Sequence, residues 1–105
     1  MTWTARLQVD DDLIAARDFI AADNERAALA FLNSAFELFA LLARFPEMGP
    51  LARVRHRKLR EIRFVVLPHP FNRWLVFYRA APERVEIARV LYGTVNWRQM
   101  PERFF

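Results

Sequence analysis

The chain has no cysteine, only two glycines, two histidines and one serine among its 105 residues. Without cysteine there is no disulfide and no thiolate chemistry, which fits a reducing compartment. Ser34 falls inside a predicted helix, which argues against a serine catalytic triad. Gly49 and Gly93 stand alone, so there is no glycine-rich phosphate loop. His56 and His69 lie in separate predicted loops with no carboxylate at ligand spacing, so we expect no metal site and no cofactor.

Long uninterrupted apolar runs are also missing. The longest apolar-rich stretch, residues 27–45, contains Asn33, Ser34, Glu37 and Arg44, which is typical of an amphipathic helix in a globular protein rather than of a membrane span. The start "MTWTARLQVDDD" has no basic segment followed by an apolar run, as a secretory signal would have. With 54% hydrophobic and 14% aromatic residues, the chain can fill a core. We therefore expect one domain over residues 1–105 that is soluble and cytoplasmic.

Negative charge is scarce in the second half of the chain. Residues 1–50 carry four arginines against eight acids, a net −4, and residues 51–105 carry twelve basic residues against four acids, a net +8. Such a basic half predicts a face for a polyanion or an acidic protein, although a solvated charged surface gives the same pattern. His56, within the basic run, could help to bind phosphate, whereas His69 lies between two prolines and is read as structural. The candidate residues for binding nucleic acid or another target are Arg53, Arg55, Arg57, Lys58, Arg60, Arg79 and Arg89.

Hydrophobic periodicity predicts two helices in the first half. "TARLQV", residues 4–9, alternates apolar and polar side chains and is typical of a strand. The run Asp10, Asp11 and Asp12 then offers an N-cap and acids for the start of a helix that reaches about Ala22. Asn24, with the preceding aspartate, caps a second helix of about twenty residues. The predicted buried stripes are Leu13, Ala16, Phe19 and Ile20 in the first helix and Ala28, Phe31, Leu32, Ala35, Phe39 and Leu42 in the second.

Three further strands follow the basic connector. "EIRFVVL", "RWLVFYRA" and "RVEIARVLY" are rich in β-branched and aromatic residues, and "PHPFN" and "APER" separate them as turns. The predicted fold is α+β with two layers: an order β-α-α-β-β-β in which an antiparallel sheet packs against a helical hairpin.

Both faces of the predicted sheet are apolar, which is unusual for a sheet covered on one side only. The apolar stripe of the second helix is also wider than one neighbour would cover. This surplus favours a protein partner, and the alternative is that the C-terminal "WRQMPERFF" folds back over the open face.

Elimination leaves one enzyme class open, RNA cleavage by cations and a tyrosine that moves the proton of a 2′-hydroxyl. Arg63, Arg73 and Tyr92 lie on or beside the predicted strands. Tyr92 is either a reactive group at a strand end or a core aromatic before the turn at Gly93. Taken singly, Arg79 or Arg89 more often pairs with an acid across strands, here Glu86, whereas several arginines on adjacent strands beside Tyr92 would form a phosphate-binding surface.

The blocks "NRWLVFYR" and "VEIARVLYG" resemble the C-terminal half of the RelE/ParE toxin superfamily, and "FPEMG" with the Ala/Phe/Leu-rich helix before it extends the resemblance over the chain. The resemblance implies the toxin of a type II toxin–antitoxin system, held by a cognate antitoxin, often in a heterotetramer. Within it, the antitoxin-binding candidates are Phe36, Leu41, Trp74, Val76, Tyr78 and Trp97.

Two activities are known in that superfamily. RelE-like members cut mRNA on the ribosome with basic residues of the central strands and a C-terminal tyrosine or histidine, whereas ParE-like members poison DNA gyrase. "RVLYG" is similar to the ParE-like pattern, with Tyr92 in the place of a histidine. Arg63, Arg73 and Tyr92 lie nearest the nuclease positions, but the lysines of the second strand are absent. The resemblance therefore implies a ParE-like gyrase poison, with an mRNA endonuclease as the alternative.

Overall fold

The computed structural model describes residues 2–52, 61–94 and 97. These residues form two helices and four strands in the predicted order β-α-α-β-β-β, which confirms the α+β fold. The elements are β1 (Thr2–Ala5), α1 (Leu7–Ala21), α2 (Glu25–Arg44), β2 (Arg63–Val66), β3 (Trp74–Ala80) and β4 (Arg84–Tyr92).

The four strands form one sheet in the order β1-β4-β3-β2. The last three are antiparallel neighbours, as predicted. The first strand, however, lies beside β4 and runs parallel to it, from Thr2 opposite Arg84 to Ala5 opposite Ile87. The sheet is therefore mixed, since the antiparallel pairing predicted for the last three strands does not extend to β1. A parallel pair needs a long crossover, and here the helical hairpin and two further strands separate the partners in sequence.

The first helix begins earlier than the sequence pattern indicated. The predicted strand at residues 4–9 ends at Ala5, and Arg6 occupies the N-cap position without a side-chain hydrogen bond. Val9, Leu13 and Ala16 are buried with helical spacing, so the alternation that suggested a strand is part of the helix face. The three aspartates lie inside the helix rather than at its cap. Phe19, predicted to be buried, is 69% exposed.

The second helix follows the prediction closely. The side chain of Asn24 accepts a hydrogen bond from the backbone N–H of Ala27 at 3.1 Å, and the helix extends to Arg44. By length and composition alone this helix could cross a membrane. Phe31, Phe39 and Leu42 are nevertheless completely buried against the sheet, as in the core helix of a globular fold.

Each face of the sheet has its own core. The helix side buries Val76, Tyr78, Val85 and Ile87 together with the hairpin. The other side buries a second cluster: Ala52, Ile62, Phe77, Ala88, Leu91 and Trp97. The predicted apolar surplus on the second face is thus partly covered by the chain itself.

An irregularity between β3 and β4 changes the direction of the side chains. Tyr78 pairs with Ile87 and Phe77 with Arg89, so Ala88 is the extra residue of a bulge. Beyond the bulge Val90 joins the helix-side core and Leu91 the opposite core. The bulge therefore places Val90 on the helix side of the sheet, where regular alternation from Ile87 would have placed Leu91.

Candidate target-binding and partner-binding sites

Arg63 braces a loop in the interior of the fold. Its Nη1 donates to the carbonyl of Gly49 at 2.8 Å, and the N–H of Gly49 donates to the hydroxyl of Tyr78 at 2.9 Å. Tyr78 is completely buried, and burial raises the pKa of its hydroxyl. A Cβ on Gly49 would overlap the carbonyl oxygen of Phe64, so only glycine lets the loop approach β2 this closely. Arg63 and Tyr78 therefore hold the loop after α2 on the sheet.

Arg73 and Tyr92 meet at the other end of the strands. Trp74 pairs with Tyr92 across β3 and β4, and their rings meet edge to face with centroids 4.9 Å apart. Exposed Arg73 donates from Nη1 to the Tyr92 hydroxyl at 3.4 Å, which raises the pKa of the guanidinium. The N–H of Gly93 donates to the carbonyl of Arg73 at 2.6 Å and fixes the turn.

The predicted nuclease residues do not assemble into one site. Arg63 is opposite Tyr78 on β3, whereas Tyr92 is opposite Trp74. Four residues of extended strand separate these two positions, roughly 13 Å at about 3.3 Å per residue. Arg63 is also committed to Gly49. Arg73 and Tyr92 are together, and Arg63 is remote from both.

Only part of the predicted basic surface lies within the described residues. Arg53, Arg55, Arg57, Lys58 and Arg60 fall outside them. Arg79 is 43% exposed and lies 3.6 Å from the carboxylate of Glu86, which also accepts from Arg6 at 2.9 Å. The sequence alternative that pairs Arg79 with Glu86 therefore matches the geometry.

Arg89 is not a surface cation. It forms a two-pronged ion pair with Asp12 of α1, with both N···O distances 2.8 Å, and its side chain is only 14% exposed. The hydrogen bonds to Asp12 raise the pKa of Arg89. One carboxylate oxygen of Asp12 also accepts from the N–H of Val90 at 2.9 Å. The sequence analysis offered Arg89 as a residue that binds a target, whereas in this structure its guanidinium anchors α1 to β4.

The predicted antitoxin contacts divide into surface and core residues. Phe36 and Leu41 on α2 are 45% and 38% exposed, and Trp74 is partly buried. Val76 and Tyr78 are completely buried beneath the helices, and Trp97 packs on Phe77 and Phe64 with only 6% exposed. Val76, Tyr78 and Trp97 are therefore inaccessible on the surface of this structure, because the chain's own elements cover both sides of β3.

A cavity of about 360 Å³ opens between α1 and the ends of β3 and β4. We call it the aromatic pocket. Its lining consists of Asp12, Ala15, Ala16, Phe19, Trp74, Val90, Leu91 and Tyr92. Sequence reasoning missed it because Phe19 looked like a core residue of the helix stripe. The available signal was the pair Ala15 and Ala16, two small side chains that also line the cavity.

Among residues 2–52, 61–94 and 97, no three His, Asp or Glu side chains are close enough to hold a metal ion.

Comparison with known proteins supports the fold and identifies the family. A family model of the ParE toxin of the type II toxin–antitoxin system, parDE, matches residues 4–97. Among solved structures, the chromosomal ParDE TA system from P. aeruginosa matches with a TM-score of 0.69 and 16% sequence identity, over 88% of this chain and 95% of that one. No curated protein sequence matches the chain. Because the family model spans nearly all of the chain, the protein belongs to the ParE toxin family of type II toxin–antitoxin systems.

Proposed function

We propose that this toxin arrests growth by acting on DNA gyrase and that a cognate antitoxin neutralises it. The observation that carries the choice is the separation of Arg63 from Arg73 and Tyr92. A nuclease would need its cations and proton-transfer group around one phosphate. A gyrase poison acts by binding and needs no such assembly. We place this action in the cytoplasm.

The second strand adds to this preference. It reads "RFVV", and its one cation, Arg63, donates to the carbonyl of Gly49. The lysines that the resemblance associates with mRNA cleavage are therefore missing from the strand where they would be expected.

The antitoxin contact fits the outward face of α2. Phe36 and Leu41 are exposed there, and Leu29 on the same helix is 62% exposed. Leu29 and Phe36 are seven residues apart and share one side of the helix, whereas Leu41 lies about 140° around the axis at 3.6 residues per turn. Exposed large apolar side chains on a solvated helix mark a surface that gains free energy when a partner covers it. We propose that an amphipathic segment of the antitoxin packs on the side of α2 that carries Leu29 and Phe36 and reaches round to Leu41, in a heterotetramer as the resemblance implies.

A supercoiling assay tests the target. The purified chain is added to gyrase and relaxed plasmid, and we expect it to inhibit supercoiling. In a parallel reaction, toxin that has been preincubated with its antitoxin should leave supercoiling unaffected. In cells, expression should induce the DNA damage response while bulk mRNA remains intact. Gyrase that stays fully active at a molar excess of toxin would refute the gyrase proposal.

A second candidate function is ribosome-dependent mRNA cleavage, because Arg73 lies within hydrogen-bonding distance of the Tyr92 hydroxyl. For that function, Tyr92→Phe removes the hydroxyl that would transfer a proton, and growth arrest should disappear at matched expression. Primer extension after induction should then show cut transcripts. If Tyr92→Phe and Arg63→Ala both fold and both arrest growth, the endonuclease candidate fails.

A further inference from the structure

The aromatic pocket presents three rings around one opening. Phe19 lies 6.4 Å from Trp74 and 6.4 Å from Tyr92, measured between ring centroids, and most of its surface meets solvent. Exposing a phenylalanine to this extent forgoes the free energy of its burial. A flat apolar ligand would recover it.

The charge at this opening is positive. Asp12 is the acid of the lining, but Arg89 and the N–H of Val90 occupy its carboxylate. Arg73, at the rim through its contact with Tyr92, pairs with no carboxylate among residues 2–52, 61–94 and 97. An anion at the rim would be attracted to this guanidinium, and Asp12 would repel it little because the charge of its carboxylate is balanced by Arg89.

The rim is also held in place by backbone hydrogen bonds. Gly93 N–H donates to the Arg73 carbonyl at 2.6 Å, and Trp74 N–H donates to the Phe71 carbonyl at 3.0 Å. Such a preformed site costs a ligand little ordering of the protein.

We propose that the aromatic pocket binds a single unstacked nucleobase, with its ring against Phe19 and its phosphate on Arg73. Aromatic platforms bind bases through stacking, and the planar guanidinium matches the phosphate oxygens. The cavity is near the small end of ligand pockets, roughly 300–1,000 Å³, which suits one nucleotide. This site is independent of whether gyrase is the cellular target.

The test is a titration of the full chain with a short fluorescent oligo(dT) and with the same strand lacking its bases, followed by anisotropy. Unlabelled thymidine monophosphate is the competitor. We expect the intact strand to bind more tightly than the abasic one. Competition by the monophosphate indicates a free nucleotide as the ligand, and its failure to compete indicates a nucleic acid strand.

Two variants test the two contacts. Phe19→Ala should weaken binding about tenfold, a typical loss for one stacked base. Phe45→Ala, at another exposed phenylalanine, is its control and should bind like the original chain. Arg73→Gln should weaken binding and lower the salt dependence by about one phosphate contact. Arg84→Gln removes the same charge from an exposed position outside the pocket and controls for net charge.

Phe19→Leu keeps apolar bulk without an aromatic face, so it answers the same question should the alanine variant lose its fold. Equal binding of the intact and abasic strands overturns the proposal, as does equal binding by the Phe19 and Phe45 variants. An acidic apolar peptide that binds with a dependence on Phe19, while neither nucleotide probe does, also overturns it and makes the pocket a peptide site.

Discussion

The two tyrosines of the chain each lie beside an arginine, yet the two pairs have opposite settings. Tyr78 is completely buried, and its hydroxyl accepts a hydrogen bond from the N–H of Gly49. Arg63 donates to the carbonyl of the same glycine. Tyr92 is partly exposed at the mouth of the aromatic pocket and accepts from exposed Arg73. We call these the buried end and the open end of the sheet. Identical residue types serve packing at one end and stay accessible at the other, so burial decides their role.

The largest expected effect is at the buried end. Gly49→Ala would place a methyl group against the backbone carbonyl of Phe64 and the side chain of Val65, neither of which can move freely. We expect a loss of about 3 kcal/mol or more in the free energy of unfolding, measured by urea titration, because overpacking at this site displaces backbone.

Gly93→Ala is the matched change at the open end. Its Cβ would lie 2.9 Å from the carbonyl oxygen of Arg73 and 3.2 Å from Leu75 Cδ1, a milder overlap near solvent. The loss should be smaller than for Gly49→Ala. Equal losses would show that the two ends are equally constrained.

Asp12→Ala tests whether the open end depends on a buried anchor. The substitution removes the carboxylate that accepts from the guanidinium of Arg89 and from the N–H of Val90, in a setting only about one-tenth exposed. We expect a loss of about 2 kcal/mol by urea titration, since buried polar groups that lose a partner retain their desolvation penalty. If Asp12→Ala lowered the free energy of unfolding by less than Asp18→Ala, a change at an exposed aspartate, the anchoring role of Asp12 would be contradicted.

The two tyrosines can be compared directly. Tyr78→Phe leaves the N–H of Gly49 without its hydroxyl acceptor and should cost about 1–2 kcal/mol of unfolding free energy. Tyr92→Phe removes a long hydrogen bond at the surface and should change the unfolding free energy by less than about 0.5 kcal/mol. Thermal unfolding of both variants side by side gives the answer, and similar shifts would erase the distinction between the ends.

The smallest effect is a dependence on alkaline pH. Burial raises the pKa of Tyr78, so the folded chain holds this proton more tightly than the unfolded chain. An unfolded tyrosine titrates near pH 10. The contribution of Tyr78 to stability is therefore complete below about pH 10 and is lost as the pH rises from there through the folded pKa. Unfolding free energies measured across that range should fall more steeply for the original chain than for Tyr78→Phe, and parallel curves would contradict this assignment.

Local patterns were sufficient for most of the secondary structure. The second helix begins after Asn24, as capping chemistry predicts, and the three later strands lie where aromatic and β-branched runs predict them. The pattern failed at residues 4–9, because alternation over so few residues also fits one face of a helix. The prediction that Phe19 is buried failed similarly, since its position on the apolar stripe of the helix does not say whether a neighbouring element covers it.

The candidate site was predictable only in part. Tyr92 before Gly93 and the strand arginines could be chosen from the sequence, but their partners could not. Asp12 and Arg89 are 77 residues apart and meet because the parallel pairing of β1 brings α1 across β4. The sequence also did not show that the backbone of Gly93 lies close to the carbonyl of Arg73, because this contact joins residues that are far apart in the chain.

The sequence by itself determined the class of fold, the absence of thiol chemistry and the resemblance to ParE-like toxins, because each depends on composition or on runs of neighbouring residues. Tertiary structure alone decided which arginines are engaged, which aromatic side chains are buried and where a pocket remains open. Those properties depend on strand order, on the register of β3 with β4 and on the bulge at Ala88. Register sets which distant residues face each other, and a shift by one residue reverses every side chain that follows.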